Sequence, residues 1–228
     1  MDLPILYEDA DILAVNKPAG VLTHTDGKSK GETAEDWFKQ KYPEGGYAHR
    51  LDRDTSGVLV FAKNQEALTF LKNAFHDREA KKTYLAFVYG VPKEKKGIID
   101  FDIGRSRKDF RLRSAQPKAR GTLREAITRY EVIGDDGSHA LLKVEPETGR
   151  THQIRVHLKA IHYPIVGDVL YSPNHPRDLG INRLALHAYS LDLPLPSGGR
   201  KEIIAPIPPD LKPAFTGLSE RDEKFAGE

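Results

Sequence analysis

The sequence predicts an α+β domain built on a mixed, largely antiparallel sheet with flanking helices. Three observations predict it. Short β-prone runs separated by Gly, Pro, Asn and Asp recur along all 228 residues, helical stripes are interspersed among them without strict alternation, and an Asp-Gly turn joins two long β-prone runs. With 30% charged and 39% hydrophobic residues, and no apolar stretch near membrane-spanning length, the chain reads as a soluble domain over residues 1–218 followed by a polar tail over 219–228.

Taken in order, ILY at 5–7 and ILAV at 12–15 flank the polar stretch 8–11, which reads as strand, turn, strand. Lys17-Pro18-Ala19-Gly20 then forces a loop, because Pro lacks an N–H and Gly permits positive φ. Gly27-Lys28-Ser29 in the next loop would need a Gly at position 22 to form a phosphate-binding P-loop, and Leu22 stands there, so no nucleotide cofactor is expected. Thr33 and Asp36 make a capping pair for a helix with Ala34, Trp37 and Phe38 on its stripe and Trp37 in the core. VLVFA at 58–62 reads as a buried strand, and Asn64 caps a helix with Ala67, Leu68, Leu71, Ala74 and Phe75 at helical spacing.

Residues 82–89 read as a strand buried on both faces, and 97–103 as another. The stretch 105–120 reads as a long exposed excursion. The runs 125–133 and 139–145 flank Asp135-Asp136-Gly137-Ser138 as a hairpin. Thr151 is expected to cap a helix carrying Ile154, Leu158 and Ile161, although Ile154, Val156 and Leu158 also alternate as a strand would; helix is preferred, ending at Pro164. Residues 184–193 alternate as a strand, and 200–205 form a last edge strand.

Composition narrows the chemistry. Zero cysteines exclude disulfides, thiolate nucleophiles and Cys-ligated metals, and fit a reducing compartment. The N-terminal MDLPILYEDAD lacks the basic start and long apolar core of a signal peptide, so a cytoplasmic location is expected. His152, His157 and His162 recur every five residues, a step that turns a helical side chain by about 140°, so they do not converge on one metal. Net charge is only +2, but residues 105–120 hold seven basic residues against one acid, a local +6 that leaves −4 for the remainder. A patch of that kind, outside any amphipathic pattern, suits phosphate contacts, through Arg105, Arg107, Arg111 and Arg113 among others.

The densest chemistry lies in HRLDRDTSG at 49–57, two basic residues, two carboxylates and two hydroxyls directly before a buried strand. No packing requirement explains it. Asp52 and Asp54 on one tight loop are poorly placed to flank a sugar as a glycosidase pair would. HRLDRDTSG instead resembles the catalytic stretch of the RluA-type RNA pseudouridine synthases, and four further segments match that family in order: NKPAG at 16–20, KKTYLA at 81–86, TGRTHQIRVHL at 148–158 and RLALHA at 183–188.

The resemblance implies a single pseudouridine-synthase-like domain with a catalytic cleft crossing the sheet, a stand-alone form without an added N-terminal RNA-binding module, acting without cofactor or metal, as a monomer, on a structured RNA such as tRNA or an rRNA stem-loop. It implies Asp52 as the residue that attacks the target uridine, Arg155 as its basic partner and Tyr84 as the ring that stacks on the base and takes part in C5 deprotonation. Leu186, with Leu184 as second choice, would form the apolar floor under the uracil, and Arg50 would sit near the base or a phosphate. The alternative is a non-catalytic RNA-binding protein of the same fold, in which Asp52 would be dispensable.

Overall fold

Tight polar turns between apolar runs join antiparallel neighbours, and the fold is accordingly α+β with a largely antiparallel sheet. The computed structural model describes residues 1–25, 27, 31–106, 112–115, 119–175, 178–215 and 218. In chain order these form β1 (Ile5–Glu8), β2 (Ile12–Lys17), α1 (Ala34–Lys39), β3 (Gly46–Tyr47), β4 (Ser56–Ala62), α2 (Gln65–His76) and β5 (Lys81–Tyr89). There follow β6 (Lys96–Asp100), β7 (Ile103–Ser106), β8 (Arg113–Ala115), β9 (Ala119–Arg124), β10 (Ile127–Asp135) and β11 (His139–Pro146). Helix α3 (Gln153–Ala160), β12 (Leu186–Pro194), β13 (Arg200–Ile204) and a 3-10 turn (Lys212–Phe215) complete the order. The expected polar tail over 219–228 lies outside the described residues, and Leu218 just before it is buried.

Two compact units divide the chain, residues 1–82 with 188–206 and residues 83–187 with the chain from 207. In the first, the neighbours run β1, β2, β4, β12, β13, with β3 also against β4. The turn between β1 and β2 closes because Asp9 Oδ1 accepts from the amides of Asp11 and Ile12. All seven residues of β4 are buried, and Gly57 at its start has φ +114° with its α-carbon so close to Ala188 that an added Cβ would lie 2.1 Å from the Ala188 carbonyl oxygen. Only glycine fits there. Asn64 caps α2 by accepting from the Ala67 amide at 2.8 Å, and Ala67, Leu68 and Leu71 pack with Ile12, Ala14, Val58 and Val60 as one core. Helix α1 carries the capping box expected of Thr33 and Asp36, but its buried residues are Ala34 and Phe38, with Trp37 half-exposed; residues four apart share a face, and Trp37 falls off it.

In the second unit the order is β5, β11, β10, β6, and a small separate sheet runs β8, β7, β9. Leu85, Ala86, Phe87 and Val88 are consecutively buried on β5, as a strand covered on both faces requires. The hairpin of β10 and β11 turns at residues 136–138, as its Asp-Gly signal predicts. Two expectations fail here. Residues 97–103 are not one strand but the end of β6 and the start of β7, and the described residues of 105–120 are not a plain loop, because β8 and β9 pair with β7 and bury Ala115 and Ala119 while Arg105 and Arg120 stay exposed. Thr151 does not cap α3: its N-cap is His152, at φ 58° and without a side-chain cap bond.

The caps and the core of the first unit are open to two tests. Asn64→Ala is expected to lower unfolding free energy by about 1 kcal/mol, read by chemical denaturation; no change would remove the cap from the stability account. His49 Nε2 accepts from the Val60 amide at 3.0 Å, which needs a neutral imidazole, and burial together with the nearby Lys82 charge pushes its pKa down to about 3. Below about pH 6.5 the unfolded chain takes up a proton that folded His49 refuses, so stability is lost as pH falls from there toward 3. His49→Gln is expected to flatten this acid limb; parallel losses in both proteins between pH 6.5 and 4 would contradict it.

Candidate active site

The Asp52 loop is built from two strand ends held side by side. Register sets Asn16 opposite Val58 and Lys17 opposite Gly57, so the chain leaving β2 and the chain arriving at β4 run next to each other. Lys17 is wholly buried, and its ammonium donates to the carbonyls of Pro18 (2.9 Å), Val21 (2.8 Å) and Arg53 (3.0 Å). The Gly20 amide also donates to the Arg53 carbonyl at 2.8 Å. On the other side of Asp52, the buried Thr23 hydroxyl donates to the Leu51 carbonyl at 3.0 Å and accepts from the Leu51 amide at 3.2 Å. Both chain neighbours of Asp52 are therefore pinned, one by the NKPAG loop and the other by Thr23, while the Asp52 side chain is only half-buried.

Around that loop, Arg50 is exposed, with its Nη1 3.4 Å from His24 Nε2, and His24 stacks on Tyr47 at 4.9 Å between centroids. Arg53 pairs with Asp54 (Nε to Oδ1 3.0 Å).

In the second unit, Arg155 on α3 is buried and forms a two-point pair with Asp168, Nε to Oδ2 at 2.8 Å and Nη2 to Oδ1 at 2.7 Å. Asp168 is itself 2% exposed, and its Oδ1 also accepts from the amides of Leu170 and Tyr171. The Tyr171 ring lies 5.0 Å from the guanidinium carbon. A buried guanidinium needs a counter-charge and fixed acceptors, and Asp168 supplies both. Tyr84 stands half-buried on β5 opposite Val144, just before the four buried residues of that strand. Leu184 and Leu186 are each 3% exposed, and between them Ala185 bonds through its amide to Val166 and through its carbonyl to Phe87.

Of the four expected phosphate contacts, Arg105 and Arg113 come together as opposite residues of β7 and β8, whereas Arg107 and Arg111 lie outside the described residues. His157, one of the three spaced histidines, is wholly buried between the Thr128 hydroxyl and the Phe101 carbonyl, both at 2.9 Å, and burial lowers its pKa. It holds the fold. No group of three or more potential metal ligands occurs among the described residues. The residues missed from sequence are Lys17, Thr23, Asp168 and Tyr171. Lys17 lay inside a quoted motif, but nothing local marked the other three.

A family model described as RNA pseudouridylate synthase matches residues 11–160. A relative from Synechocystis described as an uncharacterized RNA pseudouridine synthase is 36% identical over 229 residues, covering 96% of this chain and 70% of its own. Ribosomal large subunit pseudouridine synthase D of Borreliella burgdorferi is 35% identical over 232 residues, with 97% and 70% covered. Among solved structures, human RNA Pseudouridylate Synthase Domain Containing 1 superposes with a TM-score of 0.76 at 30% identity over 91% of this chain and 84% of that one. The chain belongs to the RNA pseudouridylate synthase family and is an isomerase.

Proposed function

We propose that the enzyme converts a uridine in a tRNA or an rRNA stem-loop to pseudouridine, with Asp52 as nucleophile. The reaction breaks the N1 to C1′ bond, turns the base and joins C5 to C1′; one proton leaves C5 and one is taken up at N1. Nothing is oxidised and no group is gained or lost, so the chemistry calls for no cofactor. It calls for a positioned carboxylate, a cation that keeps it ionised, a surface for the loosened base and a proton acceptor near C5.

Asp52 takes the first role, Arg155 the second and Tyr84 the third, its flat ring suiting any unstacked base. Leu186 and Leu184 supply the apolar floor, and Arg50 a contact to the base or a phosphate. The observation that supports this reading most strongly is the pinning of Leu51 and Arg53 by Thr23, Lys17 and Gly20, which fixes the backbone that carries a half-buried Asp52. A uridine must leave its stack to reach it, which favours loops and ends of structured RNA. The Borreliella relative, named for the large ribosomal subunit, supports rRNA as one candidate class.

Asp52→Asn is expected to abolish pseudouridine formation while leaving RNA affinity within about a few-fold, because the amide keeps the shape and loses the nucleophile. Pseudouridine mapping of cellular RNA with and without the protein names the substrate, and wild-type activity in the variant would overturn the assignment. Asp168→Asn, which keeps the side-chain shape but removes the counter-charge of Arg155, is expected to slow single-turnover isomerisation about tenfold or more, equivalent to about 1.4 kcal/mol of lost transition-state stabilisation. An unaltered rate would show that Arg155 acts without the Asp168 charge.

A further inference from the structure

We propose that a pocket of four arginines in the second unit grips successive backbone phosphates of the substrate RNA, independent of base identity. The inference rests on the RNA-modifying role proposed above. The pocket lies between the small β8, β7, β9 sheet and the loop ahead of α3, has a volume of about 520 Å³, and is lined by Arg105, Arg113, Arg124 and Arg150 with Thr122 and Thr151. That volume exceeds what one ion needs. Arg124 and Arg150 are not in the basic stretch 105–120 and join it only through folding.

The charge arrangement is unfavourable without an anion. Arg105 and Arg113 are directly opposite in an antiparallel pair, which places their β-carbons about 4.5–5.5 Å apart, and like charges so placed destabilise the sheet. Among the described residues no carboxylate lines the pocket, and none pairs with Arg105, Arg113 or Arg124. Arg150 donates through Nε to the Glu125 carbonyl at 2.9 Å, a dipole rather than a charge. Guanidinium forks match phosphate oxygens two at a time, and four of them suit more than one phosphate.

The walls are rigid. Gln153, 4% exposed, accepts from the Thr148 hydroxyl and the Arg150 amide through Oε1 and donates to the Ile127 carbonyl and the Thr128 hydroxyl through Nε2, all within 2.7–3.0 Å. The Tyr171 hydroxyl accepts from the Arg113 amide at 2.9 Å and lies 2.9 Å from His152 Nδ1, which ties β8 to the loop that presents Arg150. Gly104 also lines the pocket, and β7 and β9 run so close there that an added Cβ would meet the Arg120 carbonyl oxygen at 2.7 Å. Donors held in this way lose little freedom when they bind.

The lining also selects the ligand. Among the described residues it contains no aromatic ring and one large apolar residue, Ile103, so these residues offer no stacking platform for a base or a nucleotide. What it recognises is phosphate and ribose, the sequence-independent part of RNA. Because Tyr171 both braces the pocket and packs against Arg155, a phosphate seated there stands at a fixed distance from that guanidinium, which sets the register of the strand.

The test compares Arg105→Gln with Arg124→Gln, singly and together, against a double control of equal charge, Lys39→Gln with Lys201→Gln. Binding of an unmodified tRNA transcript and an rRNA stem-loop transcript is measured across salt concentrations, in wild-type and in Asp52→Asn backgrounds. The double pocket variant is expected to reduce the slope of log K against log salt by about 1.4 to 1.8, and the control to leave it unchanged. An unchanged slope in the pocket variant, an equal change in the control, or equally effective competition by poly-L-glutamate of matched charge would overturn the proposal. Since binding is read separately from pseudouridine formation, failure of the pocket with isomerisation intact is distinct from failure of the Asp52 assignment.

Discussion

A buried ammonium ion organises the Asp52 loop. A lysine buried without acceptors would be strongly destabilising, and three carbonyls converging on one nitrogen satisfy all three of its N–H groups. Two of those carbonyls, Pro18 and Val21, belong to the loop that leaves β2 and the third to Arg53, which is how two motifs 33 residues apart become one piece of structure. The loop conformation and the solvation of the charge are the same requirement. Replacing Lys17 by arginine would not preserve it, because a planar fork cannot direct its hydrogens at three convergent oxygens.

The second unit repeats the logic with the opposite sign in the supporting role. Arg155 is fixed by a carboxylate that is fixed in turn by backbone amides, so the guanidinium has one orientation rather than a choice of rotamers. Tyr171 extends the chain of support to β8. Charged groups in both units are thus braced by partners that take no part in bond making, which is what separates a positioned charge from a solvated one.

What was legible in the sequence is what local physics determines. Asn64 and Thr33 announce their helices because a cap bonds two or three residues ahead, and the β10–β11 hairpin announces itself because its turn needs Gly137. The stretch 105–120 misled because its strand positions are filled by arginine: alternation was present, but it alternated charge with small residues rather than with large apolar ones, so the buried side of Ser106, Ala115 and Ala119 had no hydrophobic signature. Helix phase misassigned Trp37 by one position. Family motifs pointed to Arg155 and Asp52 as site candidates, yet Asp168, which pairs with Arg155, stands 13 residues further on in a loop, and no periodicity links the two. Long-range pairing of polar groups is written in the fold rather than in the string.

The neutral imidazole at the head of HRLDRDTSG bears on where protons travel. His49 gives its Nε2 lone pair to the Val60 amide and stacks on Phe75 at 4.6 Å, and its pKa of about 3 keeps it uncharged throughout the neutral range. An acceptor already occupied by a main-chain donor is no shuttle. The most conspicuous base of the motif is therefore a strand clip, and whatever relays hydrogen between C5 and N1 of the turning ring has to be sought among hydroxyls, carboxylates and solvent.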